Sequence, residues 1–310
     1  MRCAVFGGGG FIGSWVVDRL LRDNHDIRIF ERPRVAPYRV FASGEKVEWI
    51  RGDILSAHDV ADAIAGMDAV IHLVSTTLPK SSNDDPIFDV ETNVIGTLQL
   101  LNAMVTHHVP RMVFISSGGT VYGNPIYLPV DETHPTDPLV SYGVTKLAIE
   151  KYLGIFERTH GIKSIVLRVA NPYGERQRIE TAQGVIGAFL HHAINGVPLE
   201  IWGDGRVTRD YVHVSDVAEA FVSALAYTGQ KRVFNISSGA GVSLNELIGL
   251  IEAALGEPVA RRYLPGRPFD VQTNVLSNAL AREEFQWMPR VALSDGIART
   301  ARWMLGGHPS

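Results

Sequence analysis

The sequence predicts an α/β protein built on a doubly wound parallel sheet, with a smaller α/β region after it. Three observations predict this. Short β-rich runs alternate with helical patterns through the first half of the chain, as successive strand–helix–strand units do. Residues 69–74 (AVIHLV) form a continuous apolar run, which a strand buried on both faces requires. Beyond Pro172 the alternation loosens, and proline and glycine become frequent between elements.

The elements follow in order from these patterns. Residues 3–6 read as the first strand and 13–22 as a helix with Trp15, Val16, Leu20 and Leu21 available to the core. Strands are predicted over 26–30 and 47–51, a helix over 57–65, and a strand over 69–74. A long amphipathic helix over 85–108 leads to a strand over 111–116, a helix over 141–159 and a strand over 164–169. In the looser part, helices are predicted over 184–195, 214–227 and 244–255, with strands over 199–202 and 233–236. The expected division is a sheet-bearing domain over 1–171, to which part of 205–235 returns, and a smaller region over 172–310.

Composition narrows the function. A chain of 310 residues with 45% hydrophobic and 20% charged residues is globular, which excludes a disordered binder. The one cysteine, Cys3, cannot make an intramolecular disulfide or a cysteine-based zinc site. A net charge of −4 carries no footprint for nucleic acid. The opening apolar run is too short for a signal peptide, and the longest uncharged stretch, 184–199, contains His191, His192, Asn195 and Pro198, a poor membrane span. A cytoplasmic protein with no membrane or nucleic-acid partner is expected. The adjacent pairs His107-His108 and His191-His192 diverge on helices, so no metal site is expected. Trp49, Trp202, Trp287 and His213 read as packing residues.

The glycine surplus, 30 residues, has a concentrated source in Gly7-Gly8-Gly9-Gly10-Phe11-Ile12-Gly13, between the first strand and first helix. It satisfies Gly8-x-Gly10-x-x-Gly13 and also Gly7-x-x-Gly10-x-x-Gly13. Glycines there allow a tight turn and close approach of the backbone to a pyrophosphate, which the helix N-terminus attracts. Glu31, ending the second strand, supplies the carboxylate that holds ribose hydroxyls and repels a 2′-phosphate. NAD is therefore the expected cofactor; Arg32 and Arg34 are the residues that would attract the extra phosphate of NADP, which stands second.

Tyr142 and Lys146 share one face of a helix at i and i+4. A free phenol has a pKa of about 10, and bringing it near 7 requires roughly 4 kcal/mol of differential stabilisation. A neighbouring ammonium and a nicotinamide cation both favour phenolate, a competent base for an alcohol proton. Ser116, Ser117 and Thr120 end the preceding strand, where a hydroxyl can hold the reacting oxygen.

Taken with Gly52-Asp53, Asn93 in Asn-Val-Ile-Gly-Thr, the run Ser-Ser-Gly-Gly-Thr-Val-Tyr-Gly (116–123), Arg-Val-Ala-Asn-Pro-Tyr-Gly (168–174) and Arg-Asp-Tyr-Val-His-Val-Ser-Asp-Val (209–217), these motifs resemble the extended short-chain dehydrogenase/reductase family. Within it the chain is similar to the NAD-dependent epimerases of nucleotide sugars, over nearly its whole length. The resemblance implies a Rossmann-type fold, Tyr142 as base, Lys146 as anchor of the nicotinamide ribose, and Ser117 as holder of the sugar hydroxyl. It implies cofactor contacts at Gly7, Gly10, Phe11, Ile12, Gly13, Glu31, Arg32, Asp53, Ile54, Leu73, Ser75, Asn93 and Ser116. It places Asn171, Arg209, Arg267 and Asp270 at the nucleoside diphosphate, and Asn274 where side-chain size gates the sugar pocket. A small asparagine there implies tolerance of N-acetylated sugars. It also implies a homodimer joined through a four-helix bundle of the helices at 85–108 and 141–159.

The activity so implied is 4-epimerisation of a UDP-sugar through a transient 4-keto form with tightly bound NAD. The alternative is a 4-ketoreductase that consumes NAD(P)H; a non-catalytic dinucleotide sensor is more remote, having no use for the tyrosine, lysine and serine together. Gly119 and Thr120 replace the acidic pair of the family's 4,6-dehydratases, and Thr120 replaces the glutamate of its decarboxylases, which disfavours both. The extra glycine between Ser117 and Thr120 leaves either hydroxyl able to hold the sugar. Residues 73–77 depart from the family's small-residue stretch, and 78–85 are unlike its pattern.

Overall fold

The computed structural model describes residues 1–79, 81–177, 184–266 and 271–306. The chain divides into two compact units, each with its own core. The first comprises Met1–Gly123, Pro135–Val169 and Ala218–Phe234; the second comprises Asn124–His134, Ala170–Val217 and Asn235–Ser310.

In the first unit, β1 (Arg2–Phe6) leads through α1 (Phe11–Arg22) to β2 (Asp26–Glu31), β3 (Val47–Arg51), α2 (Ala57–Ile64) and β4 (Ala69–His72). A short helix, α3 (Pro86–Asp89), continues through a π-helical stretch (Val90–Ile95) into α4 (Gly96–Thr106). Then come β5 (Arg111–Ser117), α5 (Ser141–His160) and β6 (Lys163–Val169). With β10 (Val233–Ile236) these strands form a seven-stranded sheet in the order β10-β6-β5-β4-β1-β2-β3. The neighbours from β3 to β6 all pair parallel. The order runs outward in both directions from β1 and β4, so the crevice beyond their carboxyl ends is the natural ligand position of such a sheet.

Of the apolar run at 69–74, residues 69–72 form β4, every one buried, and Leu73 and Val74 open the loop after it. One side of the sheet packs Phe6, Val70 and Phe114 against Val60, Leu101 and Ile149 from the helices. The predicted helix over 85–108 exists, but its early part carries a π turn. Thr92 Oγ1 donates to the Phe88 carbonyl at 2.6 Å and Asn93 Nδ2 to the Asp89 carbonyl at 3.1 Å, so side chains supplement the backbone bonding of that turn.

In the second unit, β7 (Asn171–Tyr173), α6 (Val185–Ile194), β8 (Leu199–Trp202) and β9 (Thr208–His213) precede α7 (Val214–Ala226), whose later turns belong to the first unit. β11 (Gly241–Ser243), α8 (Leu244–Leu255), β12 (Arg261–Leu264), β13 (Thr273–Asn274), α9 (Ala279–Phe285) and α10 (Leu293–Met304) complete it. β9 pairs with β7, β11 and β13, and β12 pairs with β8. Tyr173, Phe189, Ile201, Tyr211, Ile248 and Ile297 lie in its core. Trp287 is buried there, as expected, whereas Trp202 is 39% exposed. His213 is fully buried, with Nε2 3.0 Å from Glu175 Oε2 and Nδ1 2.8 Å from Ser215 Oγ, a packed and tethered imidazole. No helix among the described residues is long and apolar enough to cross a membrane.

Candidate active site

The glycine loop closes on itself at the end of β1. Gly7 has φ +85°, and a Cβ on Gly13 would sit 2.0 Å from the Gly7 carbonyl oxygen, so α1 can start this close to the turn only without a side chain there. Gly10 precedes Phe11 as the N-cap, and no side chain caps the helix, which leaves the first N–H groups, around Phe11 and Ile12, for an anion. Glu31 lies buried at the end of β2 with Oε1 accepting from Gly9 N at 3.0 Å. Burial raises its pKa; the Gly9 N–H and the Arg32 charge oppose that. Arg32 and Arg34 themselves are exposed. Leu73, after β4, donates its N–H to the Phe6 carbonyl at 2.9 Å, and a Cβ on Gly7 would meet its backbone at 3.3 Å. These features fit an NAD pyrophosphate and ribose on this unit: an uncapped helix start, a cradle that a Cβ would fill, and a carboxylate at the loop.

Beyond β3, Asp53 is exposed, and its Oδ1 accepts from Leu55 N at 2.9 Å, while Ile54 is buried against Gly96 of α4. Asn93 is committed to the protein. Its Oδ1 accepts from Thr76 N at 3.1 Å and its Nδ2 donates to Asp89 Oδ1 at 2.7 Å and Thr77 Oγ1 at 3.1 Å, so it shapes the loop after β4. Ser116 and Ser117 alternate across β5. The Ser116 hydroxyl is buried and donates to Glu150, which forms a buried ion pair with Arg168 at 2.6 Å, leaving a cofactor only the Ser116 backbone. Ser117 faces the other way, half-exposed, and its hydroxyl has no hydrogen-bond partner among the described residues. Thr120 Oγ1 is a buried hydroxyl likewise without a partner.

Tyr142 and Lys146 occupy the first turns of α5. Gly143 between them is required by contact: its Cβ would meet the Thr120 carbonyl oxygen at 2.7 Å and Pro138 Cβ at 2.8 Å. Lys146 is 2% exposed; its Nζ donates to the Ile115 carbonyl at 3.2 Å and lies 5.5 Å from the Tyr142 ring centre. Burial pushes the lysine down to about 8, with Asp89 and Glu150 pulling the other way. Burial pushes the Tyr142 phenol up to about 12; a hydrogen bond with Ser75 opposes this and the Asp89 charge adds to it. Among the protein's own groups burial therefore dominates the phenol, and Ser75 is the group that favours phenolate. His72 on β4 is also buried and driven down to about 3, first by burial and then by the Lys146 charge.

Sequence reasoning missed Asp89, Ser82 and Asn83. Asp89 is fully buried, and the other two bind the start of α5. The available signal was a carboxylate on the buried face of an amphipathic helix.

The second unit holds a separate cavity of about 390 Å³. Asn171, Phe189, Trp202, Arg209 and Tyr211 are among its lining residues, and the Tyr211 hydroxyl is buried without a partner. Asn171 Nδ2 donates to the Asp210 carbonyl at 2.9 Å. Asn274 is buried on β13, in register with Arg209 of β9. Arg267 and Asp270 lie outside the described residues. Among the described residues, no three His, Cys, Asp or Glu side chains group as a metal ion requires.

A parallel sheet with an anion cradle at its first crossover and a phenol beside a buried ammonium is equipment for nicotinamide chemistry. The chain belongs to the NAD dependent epimerase/dehydratase family, which residues 3–237 match. It is 37% identical to a UDP-glucose 4-epimerase of Mycolicibacterium smegmatis over 98% of each chain. The fold is similar to that of UDP-glucose 4-epimerase from Thermotoga maritima solved with UDP-glucose: TM-score 0.93, 32% identity, 98% of this chain and 99% of that one. It is similar too to the Thermus thermophilus UDP-glucose 4-epimerase complex with NAD: TM-score 0.90, 32% identity, 99% of this chain and 100% of that one.

Proposed function

We propose that this protein is a nucleotide-sugar 4-epimerase, an NAD-dependent isomerase acting on UDP-glucose and UDP-galactose or their N-acetylated counterparts. One observation carries the reading: a phenol lies beside a buried ammonium that is bonded to β5, the strand that ends in Ser117, in a chain that matches epimerases along its length. NAD, when bound, would supply a hydride acceptor that is restored in every cycle. Gly7, Gly10, Phe11, Ile12 and Gly13 would hold its pyrophosphate, Glu31 its ribose, and Asp53 and Ile54 would border its adenine. Leu73, Ser75 and the Ser116 backbone line the nicotinamide end, and Asn93 supports them through the loop after β4.

Tyr142 removes the proton from the sugar C4 hydroxyl while Ser117 holds that oxygen. Lys146 stabilises the phenolate and anchors the nicotinamide ribose. Tyr142 would return the proton to the C4 oxygen once the 4-keto sugar has turned to present its other face. Nothing acidic stands at Gly119 or Thr120 to expel water, so the cycle ends in an epimer. The first unit is thus the cofactor domain and the second the substrate domain, with Asn171 and Arg209, joined by Arg267 and Asp270, taking the nucleoside diphosphate. The cavity beside Trp202 and Tyr211 has the size and aromatic lining of a nucleoside site. Asn274, small and buried, leaves room for an N-acetyl group; conversion of UDP-glucose with none of UDP-N-acetylglucosamine would overturn that detail.

Tyr142→Phe tests the role of the phenol. The variant is expected to bind the nucleotide sugar normally and lose turnover to below a few per cent of the wild type. Retained turnover with intact binding contradicts the assignment.

The two unpaired apolar stripes of the first unit support a homodimer. Phe88 and Ile95 on one helix, and Val144, Tyr152 and Ile155 on α5, are exposed at helical spacing. Pairing these helices with their copies would make a four-helix bundle.

A further inference from the structure

We propose that Asp89 is the positioning residue of the tyrosine–lysine pair: its carboxylate ties the first turn of α5 to the loop after β4 and sets one negative charge behind Tyr142 and Lys146. This deepens the reading of Tyr142 as the base and rests on it.

Four side-chain donors converge on a carboxylate with no exposure. Asp89 Oδ1 accepts from Thr77 Oγ1 at 2.5 Å and Asn93 Nδ2 at 2.7 Å; Oδ2 accepts from Ser141 Oγ at 2.6 Å and Thr145 Oγ1 at 3.4 Å. Thr77 belongs to the loop whose Ser75 reaches the phenol, and Ser141 and Thr145 flank Tyr142 on α5. The helix has no cap of its own, because Val140 at its N-cap offers no acceptor. The caps arrive from elsewhere: Ser82 Oγ accepts from Tyr142 N at 3.0 Å and Asn83 Oδ1 from Ser141 N at 2.8 Å. Ser82 and Asn83, within the 78–85 stretch, therefore cap the start of α5, and Asp89 ties Ser141 of that helix to Thr77 and Asn93. A carboxylate at a helix N-terminus is also favoured by the helix dipole.

The charge acts on both members of the pair. It opposes ionisation of Tyr142 and sustains the ammonium of Lys146. The other ionisable groups around the pair are His72 from β4, and Glu150 of α5 with its ion-pair partner Arg168 of β6. Glu150 is paired with Arg168 and acts on Lys146 alone, whereas Asp89 has no cation in direct contact and its charge acts on both Tyr142 and Lys146.

The test reads the phenol directly. Phenolate absorbance is titrated in the purified holoprotein and in its Tyr142→Phe counterpart, and the difference isolates one phenol among nine tyrosines. The same difference is then taken in the Asp89→Asn background, which keeps the size, removes the charge and turns one of the two accepting oxygens into a donor, so that one strut is lost. The expected result is a Tyr142 titration lower by roughly one pH unit, with kcat reduced about tenfold or more and KM little changed. Ser141→Ala and Thr77→Ala keep the charge and each remove a strut. They should lower kcat without moving the titration, and they serve if Asp89→Asn folds poorly. An unmoved titration in folded Asp89→Asn, or strut variants with wild-type kcat, overturns the proposal. Because the titration does not use turnover, it judges Asp89 separately: full activity of Tyr142→Phe would defeat the base assignment alone.

Discussion

Lys146 keeps an ammonium-bearing side chain 2% exposed, with a single carbonyl acceptor at 3.2 Å. Its pKa is held down to about 8 in the folded protein, against an ordinary 10.5, chiefly by burial. Below about 8 both folded and unfolded chains carry the proton, and the folded state bears the whole cost of the buried charge. Above about 10.5 neither carries it and the cost vanishes, so this residue makes stability rise with pH between those values. Lys146→Met is expected to raise unfolding free energy at pH 7 by about 3 kcal/mol at most, and by little at pH 10.5. Urea unfolding at the two pH values checks this; an equal gain at both would show that packing, not charge, is responsible. The tyrosine–lysine spacing was legible in the sequence because a helix places i and i+4 together. The direction of the tyrosine's shift was not, because desolvation depends on what Tyr142 and Lys146 are packed against. Asp89 escaped for a related reason: its donors come from Thr77, Asn93, Ser141 and Thr145, and only the fold assembles them.

At the level of elements, periodicity located the strands and helices of the first unit to within a residue or two at most ends. The apolar run at 69–74 and the amphipathic pattern at 141–159 were sufficient for β4 and α5. The π turn over Val90–Ile95 was invisible, because one extra residue in a turn leaves the apolar stripe nearly in phase. The caps of α5 were equally hidden, since Ser82 and Asn83 are remote in sequence. In the second unit the short strands β7, β11 and β13 have too few residues to show alternation. The exposed stripe on α5 yields a prediction at this scale. Tyr152 and Ile155 are exposed on a helix whose other face carries Ile149 and Leu153 into the core. Ile155→Glu should leave the fold intact and convert a dimer at micromolar concentration into a monomer by sedimentation. A wild-type protein that sediments as a monomer contradicts the helix-pairing reading.

For the whole molecule, an excess of acid over base coexists with the arginines and helix starts that an anionic substrate and cofactor need. Net charge described the surface, and local placement describes the site: Arg209 stands at the cavity of the second unit, and the uncapped start of α1 stands at the glycine loop of the first. The family, the cofactor and the sheet were legible because the glycines and Glu31 sit at strand ends and the tyrosine–lysine pair at helical spacing, patterns that are local in the sequence. The sugar was not, because the size of a single side chain such as Asn274 acts only through what packs around it, which spacing in a sequence does not give. An epimerase regenerates its nicotinamide, so catalysis without external cofactor is the most direct test of the account. Purified protein incubated with UDP-glucose and no added dinucleotide should form UDP-galactose with no net change in reduced-nicotinamide absorbance, and denaturation should then release NAD. Conversion of a 4-keto sugar only when NADH or NADPH is added and consumed in equal amount would contradict it.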